Sequence, residues 1–587
     1  MPVARPGPQF SIREIPFSYC GSWFGFSPVI AEKTYADDVH LVSHQTGMHP
    51  VLRLVPQAGG ARVETTITAE PSRLTWARGD ARIELAYESV DTVRVRGAGL
   101  GLGIAAARPA LTPFSGPYFL HDPVDGSYLF TLYETGRRYR VTPVAGSPVT
   151  ATGEQQLGTV ERAVTCPDGG AWELAIEEYG TARPPYRADL TFDQVAAAAA
   201  ADFSRYADAV APWRTVETPA AELAAYVLWS ATVRPAGFVT RPAVLMSKHW
   251  MDKVWSWDHC FNALALAAGQ PELAWDQFLL PFDHQDSSGS LPDSVAHSEV
   301  LYNFVKPPIH GWALRRLRRE IPALPRAEML RAYRMLEGWT RFWLISRRVP
   351  GRPLPHYQHG NDSGWDNATT FDPGRVVESA DLAAYLVLQL RQLADLAGEL
   401  ELPGDAVAWS RTADRICGAL VDLWSGEQFA ARAAGTDDTW TSASLLDLMP
   451  IVLADELPDP ILQALVGRLH CHLTPHGLAT ELPTSPHYQA DGYWRGPIWA
   501  PATVLIEDGL RRGGFTALAD DISSRFRTLC ERSGFAENFD ALTGAGLRDR
   551  AYTWTASGYL ILAAAYQRRR LQSGAAGEGQ RPPVPAV

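Results

Sequence analysis

Two periodicities divide the chain. Over residues 39–190, apolar and polar positions fall into short runs, HLVSHQ, PVLRLVPQ, RVETTITAE, RIELAYESV, DTVRVRG, YLFTLYETG and RRYRVTPV, separated by Gly, Pro or Asp. β-Branched runs between closely spaced breakers predict antiparallel strands packed as a β-sandwich. From about residue 217 the apolar positions recur at i, i+3 and i+4, in AAELAAYVLWSATV, FNALALAAG, AEMLRAYRMLEGWTRFWLISRR, SADLAAYLVLQLRQLADLAGEL, AVAWSRTADRICGALVDLWS, PILQALVGRLHCHL, PATVLIEDGLRRG and WTASGYLILAAAYQRRR. This spacing predicts an all-helical domain of about a dozen segments. Between the two, the alanine-rich TFDQVAAAAAADFSRYADAV predicts a joining helix. The expected organisation is multidomain: β-sandwich 1–190, helical linker 191–216, helical domain 217–570, and a Gly/Pro-rich tail 571–587 predicted to be disordered.

Composition narrows the partners. With 587 residues the chain exceeds one ordinary domain, and 46% hydrophobic with 20% charged residues is a globular composition. A net charge of −12 argues against a nucleic-acid backbone as partner, because phosphate binding needs concentrated Lys and Arg. The 19 tryptophans suit a neutral carbohydrate, which uses both the flat face and the indole N–H. The 6 cysteines lack paired spacing and read as reduced thiols. No leader-like start and no run of ~20 apolar residues is present, so the expectation is a cytoplasmic chain with no membrane partner. Whether it forms a homo-oligomer stays open. No cofactor or metal is expected: His470, Cys471 and His472 on one helix cannot all face inward, and the acidic 361–367 loop lacks EF-hand spacing. The glycines of VRVRGAGLGLGIA do not fit a dinucleotide fingerprint and read as a sheet edge or bulge.

Four interhelical loops combine aromatics, carboxylates and glycines: WMDKVWSWDHCFNALAL (250–266), HGNDSGWDNATTFD (359–372), DGYWRGPIWAP (491–501) and ENFDALTG (537–544). In order and content they resemble the signature loops of glycoside hydrolase family 63 and its trehalase-like relatives, over roughly residues 220–570. The resemblance implies an (α/α)6 toroid, often preceded by a β-sandwich, that hydrolyses α-linked glucosides or mannosides with inversion. It places the general acid at Asp366, within Ser363-Gly364-Trp365-Asp366-Asn367, and the general base at Glu537. Phe539 stands where relatives often have Tyr, which removes a hydroxyl near the base. The resemblance makes Trp255 and Trp257 a sugar platform and Asp258 a hydroxyl ligand, with Asn262 one turn later. Gln285, with Gly289 and Pro292, matches a further segment and is expected to bind a hydroxyl. The loops also bring in Lys306, His310, Gly364, Trp365, Trp494, Arg495 and Trp499. Lys306 and Arg495 either recognise a charged aglycone or brace acidic neighbours, and Trp494 and Trp499 are either subsite walls or barrel packing.

The chemistry agrees with that transfer. Inverting hydrolysis needs one carboxylic acid to protonate the leaving oxygen and a second carboxylate, roughly 6.5–9.5 Å away, to activate water. Burial beside Trp365 raises the affinity of Asp366 for its proton, whereas Asn538 and Thr543 are expected to keep Glu537 ionised. Taken singly, Asp366 reads equally as a turn residue, Glu537 as a solvated acid and Asp258 as a helix cap. Together they predict an exo-acting inverting α-glycosidase, an α-glucosidase of short oligosaccharides or small glycosides. The alternatives are an α-mannosyl- or α-glucosyl-glycerate hydrolase, a sugar phosphorylase on the same barrel, and a catalytically inert carbohydrate-binding protein.

Overall fold

The structure, a computed structural model, describes residues 7–578. The part of the expected tail from 579 onward lies outside the described residues, and the last helix is Thr553–Glu578.

The β-rich region folds as two antiparallel sheets face to face. One runs in the order Phe17–Ser18, Phe24–Ala31, Thr34–Ser43, His49–Ala58, Gly101–Ala106, Ala163–Cys166, Thr150–Thr152. The other runs Pro117–His121, Tyr128–Leu132, Arg137–Gly146, Ala171–Tyr179, Thr92–Ala98, Ala81–Ser89, Arg73–Arg78, Thr66–Glu70. Alternation sets the faces: Ile83, Leu85 and Tyr87 point into the shared core with Phe26, Leu41, Leu54 and Phe130. Glu84, on the opposite face, is covered by Arg73 and Arg96, which bond its two carboxylate oxygens at 2.6 and 2.7 Å. The glycine run at 97–103 is not a sheet edge. Thr92–Ala98 and Gly101–Ala106 are interior strands of different sheets, and the chain crosses between them at Gly99, whose φ is 72°. A side chain at Gly97 would meet the Trp172 ring at 2.2 Å.

The joining helix Phe192–Val210 starts in a capping box, with Thr191 Oγ1 accepting from the Gln194 amide and the Gln194 side chain accepting from the Thr191 amide. Its first turns pack Phe192, Val195 and Ala196 on Ala86 of the sandwich, and its later turns bring Phe203 and Tyr206 to Tyr226 and Trp229 of the helical domain.

The helices form a closed double ring. Asp258–Leu266, His310–Glu320, Ala380–Glu399, Leu445–Glu456, Ala500–Arg512 and Thr553–Glu578 each pack on the next, and the last returns to the first. Ala221–Ala231, Pro271–Asp283, Arg326–Ile345, Pro403–Val421, Asp459–His472 and Thr516–Ser533 pack outside them. The β-sandwich followed by an (α/α)6 toroid is thereby borne out. One inner segment departs from α geometry: Leu445–Glu456 is a 3-10 helix containing Pro450, whose missing N–H and ring exclude a regular α-helix, and Ala454 has φ 51°. Among the described residues no helix is long and apolar enough to cross a membrane.

Candidate active site

All the motif-bearing loops enter the N-terminal ends of inner helices. Trp257 precedes Asp258–Leu266, Ile309 precedes His310–Glu320, Trp499 precedes Ala500–Arg512 and Tyr552 precedes Thr553–Glu578. A ring of like-oriented helices thus brings segments distant in sequence to one end of the toroid.

The 359–372 loop is built around Asp362 and Asn367. The buried Asp362 carboxylate accepts from Arg347 Nη1 at 2.7 Å, the Gln358 amide at 2.8 Å and the Val305 amide at 3.1 Å. Gly364 has φ 73°, and a Cβ there would lie 2.5 Å from the Trp257 ring, so the turn presenting Asp366 requires glycine. Asn367 clasps the 491–501 loop, donating to Gly492 O at 3.0 Å and accepting from the Trp494 amide at 3.0 Å. Between these loops the rings of Trp365, Trp494, Trp499, Trp554 and Trp257 touch in series. Trp494 and Trp499 stack at 4.1 Å with planes 5° apart. The two rings are therefore packed against each other and against Trp365 and Trp554, while Trp494 Nε1 has no hydrogen-bond partner among the described residues.

Around this wall lies one electrostatic set. Asp366 is pushed above the usual carboxyl range by burial and by Asp293; Lys306 and a hydrogen bond from Tyr493 oppose the shift. Glu537 is pushed up to about 8 by burial and by the charge of Asp549, and the charge of Asp366 adds to this, so the two carboxyls lie within reach of each other's charge. Asp258, first residue of its helix, is driven to about 8 by burial, with Asp366 among the neighbours that raise it. It does not cap that helix, and its Oδ2 has no hydrogen-bond partner among the described residues. Buried polar atoms without partners are costly unless a ligand meets them, and both amide atoms of Asn538 are in the same state. The expectation that Asn538 and Thr543 keep Glu537 ionised is not met: among the described residues Asn538 makes no side-chain hydrogen bond, and Thr543 is exposed, its amide donating to Asp540.

Several residues expected to touch sugar are committed elsewhere. Asn262 accepts from Ser557 Oγ at 2.8 Å and braces two inner helices. Gln285 donates to Gly289 O at 2.9 Å and Met335 O at 3.0 Å, against an outer helix. His310 bonds Ser256 O at 2.9 Å with its ring edge-on to Phe282, and burial lowers it to about 4, so it is neutral. Arg495 braces Asn367 O and Asp372, and Lys306 pairs with Asp293 at 3.0 Å and donates to Asn361 O. The bracing reading therefore holds for both cations, although the Lys306 charge still bears on Asp366. Trp257 packs against Phe261 and Trp554 rather than lying open as a platform, while Trp255 stays partly exposed. Phe539 is buried against Phe526 and pairs with Ile498.

Arg548 and Asp549, beside the carboxyls, escaped the motif reading, and Tyr493, inside the 491–501 loop, was assigned no role there. Tyr493 and Arg548 both have left-handed backbone, and Asp549 accepts from His249 Nδ1 at 3.0 Å while its main-chain carbonyl accepts from the Glu537 amide at 2.7 Å. Position was the available signal: the segment GLRDRAYTW leads into the last inner helix as the four loops lead into theirs.

The model of the mannosylglycerate hydrolase MGH1-like glycoside hydrolase domain matches residues 251–555. The mannosylglycerate hydrolase of Rubrobacter radiotolerans is 26% identical over 55% of this chain and 92% of its own. The glucosylglycerate hydrolase of Mycolicibacterium hassiacum is 22% identical over 58% of this chain and 97% of its own. Among solved structures, a bacterial glucoamylase complexed with acarbose superposes over 96% of both chains with TM-score 0.62 at 12% identity, a likeness of fold that includes the sandwich. The resemblance to glycoside hydrolase family 63 is borne out, and the chain belongs to the mannosylglycerate hydrolase MGH1-like glycoside hydrolases.

Proposed function

We propose that the enzyme hydrolyses a small α-glycoside with an anionic aglycone, the α-mannoside or α-glucoside of glycerate, with inversion. The observation that carries this reading is the pair of buried carboxyls, Asp366 and Glu537, within reach of each other's charge, with the Arg548 guanidinium near Glu537. Asp366, proton-retentive by burial, serves as the general acid, protonating the glycosidic oxygen. Glu537, once ionised, takes a proton from water attacking the opposite face of the anomeric carbon. Asp258, with a free carboxyl oxygen, binds sugar hydroxyls. Arg548 lies over the Tyr493 ring, lowers Glu537 and has an Nε without a partner among the described residues, which supports it as the cation that holds the glycerate carboxylate. The names of the relatives favour a glycerate glycoside over the simple α-glucosides expected from the loops alone.

The test is a substrate panel. Initial rates on α-mannosylglycerate, α-glucosylglycerate, maltose and trehalose, with and without phosphate, should favour the two glycerate glycosides and ignore phosphate. Preference for the neutral disaccharides removes the aglycone assignment, and a requirement for phosphate makes the enzyme a phosphorylase.

A further inference from the structure

One loop of the toroid joins the sandwich to the neighbourhood of Glu537. Residues 246–253 form a closed turn, with the Met246 amide on Lys253 O and the Ser247 amide on Met251 O, both at 2.9 Å. Toward the sandwich, Lys248 Nζ donates to Ser22 O at 2.7 Å and Ser18 Oγ at 3.0 Å, and Asp252 lies 3.3 Å from His44 Nδ1. Toward the site, Ser247 Oγ and His249 Nδ1 both bond the Asp549 carboxylate, and Met246 O accepts from the Thr553 amide. Asp549 O in turn holds the Glu537 amide. The 17–24 hairpin that receives Lys248 is itself fixed to the toroid, with the Gly21 amide on Thr232 O at 2.8 Å and the Arg234 amide on Gly21 O at 3.1 Å.

We propose that Lys248 is a positioning residue for Glu537, through which the β-sandwich locks the 246–253 turn and, by way of Asp549, the backbone carrying the general base. The proposal rests on the role assigned to Glu537 above. Lys248 is only 3% exposed and has no carboxylate partner among the described residues, and burial pushes its ammonium down to about 7. A buried amine without a counter-charge is a poor stabilising device, because its desolvation is not offset by an ion pair. What it supplies instead is a pair of hydrogen bonds across this junction, to Ser22 O and Ser18 Oγ, which need a long donor. The matched family domain begins at residue 251, so the hairpin and Lys248 lie outside it.

Lys248→Met, which keeps the volume and removes the donor, separates positioning from stability, and Ser18→Ala removes one acceptor from the other side. For both variants we expect an unchanged or higher melting temperature, kcat lowered ~10-fold with KM within about twofold, and faster amide hydrogen exchange across 537–549. Unchanged exchange in that segment, or unchanged kcat with wild-type KM, overturns the proposal, as does a change confined to KM. The exchange measurement needs no substrate. If the wild-type enzyme fails on every glycoside tested, the functional reading falls, while the exchange result still decides whether Lys248 holds this segment.

Discussion

The guanidinium of Arg548 lies 4.8 Å from the centre of the Tyr493 ring, and both residues hold left-handed backbone, with φ of 61° and 63°. Left-handed conformations cost roughly 1–3 kcal/mol in residues other than glycine and persist where surrounding structure imposes them. Here they bring a cation and a phenol to the two buried carboxyls. The visible partner of Arg548, Asp491, is exposed, and an exposed pair contributes little. Arg548→Ala should therefore leave folding intact and lower kcat/KM for glycerate glycosides by ~30-fold, chiefly through KM. Equal losses on neutral α-disaccharides would separate Arg548 from the aglycone.

Asp366→Asn retains the shape of the acid and removes its proton. Its kcat should fall by ~1,000-fold or more on substrates with poor leaving groups, with sugar binding by calorimetry nearly unchanged. Retained turnover would move the acid to another residue.

The pH profile follows from the surroundings of Glu537. A base works only when ionised, and this carboxyl is pushed up to about 8, so kcat/KM should climb as pH rises through that value rather than near the ordinary 4.5. Asp549 remains ionised despite burial because His249 and Ser247 bond it, and its charge raises Glu537. Asp549→Asn should accordingly move the acid limb to lower pH, by about half a unit or more. An unmoved limb would show that Asp549 has no electrostatic hold on the base.

Gly364→Ala tests the turn that presents the acid. The added methyl would enter the Trp257 ring at 2.5 Å from a backbone at φ 73°, combining overpacking with left-handed strain. A loss of about 2–4 kcal/mol in unfolding free energy is expected by denaturant titration. A near-neutral result would mean the 359–364 turn can relax.

The sandwich and toroid were legible because burial imposes periods of two and 3.6 on long stretches, as in RIELAYESV and SADLAAYLVLQLRQLADLAGEL. Leu445–Glu456 was not, since the run LLDLMPIVLADE is nearly continuous in apolar residues from Leu448 to Ala454, shows no 3.6-residue stripe and is broken by Pro450. Within the site, residue type at a motif position indicated which loops meet but not where each polar group points. Asn262, Gln285 and His310 carry the expected chemistry yet direct it at Ser557, Gly289 and Ser256. The roles of Arg548, outside the quoted loops, and Tyr493, within one, went unread for a different reason: their placement depends on left-handed backbone in residues whose identity does not announce it.

An acid and a base acting from opposite faces of one sugar invert its anomeric centre, so the anomer first released reports most directly on the pairing of Asp366 with Glu537. Proton NMR during early turnover of α-mannosylglycerate or α-glucosylglycerate should show the β-anomer appearing first and the α-anomer only later, by mutarotation. Initial release of the α-anomer would require a covalent intermediate on one carboxylate, and would contradict the pairing of Asp366 as acid with Glu537 as base.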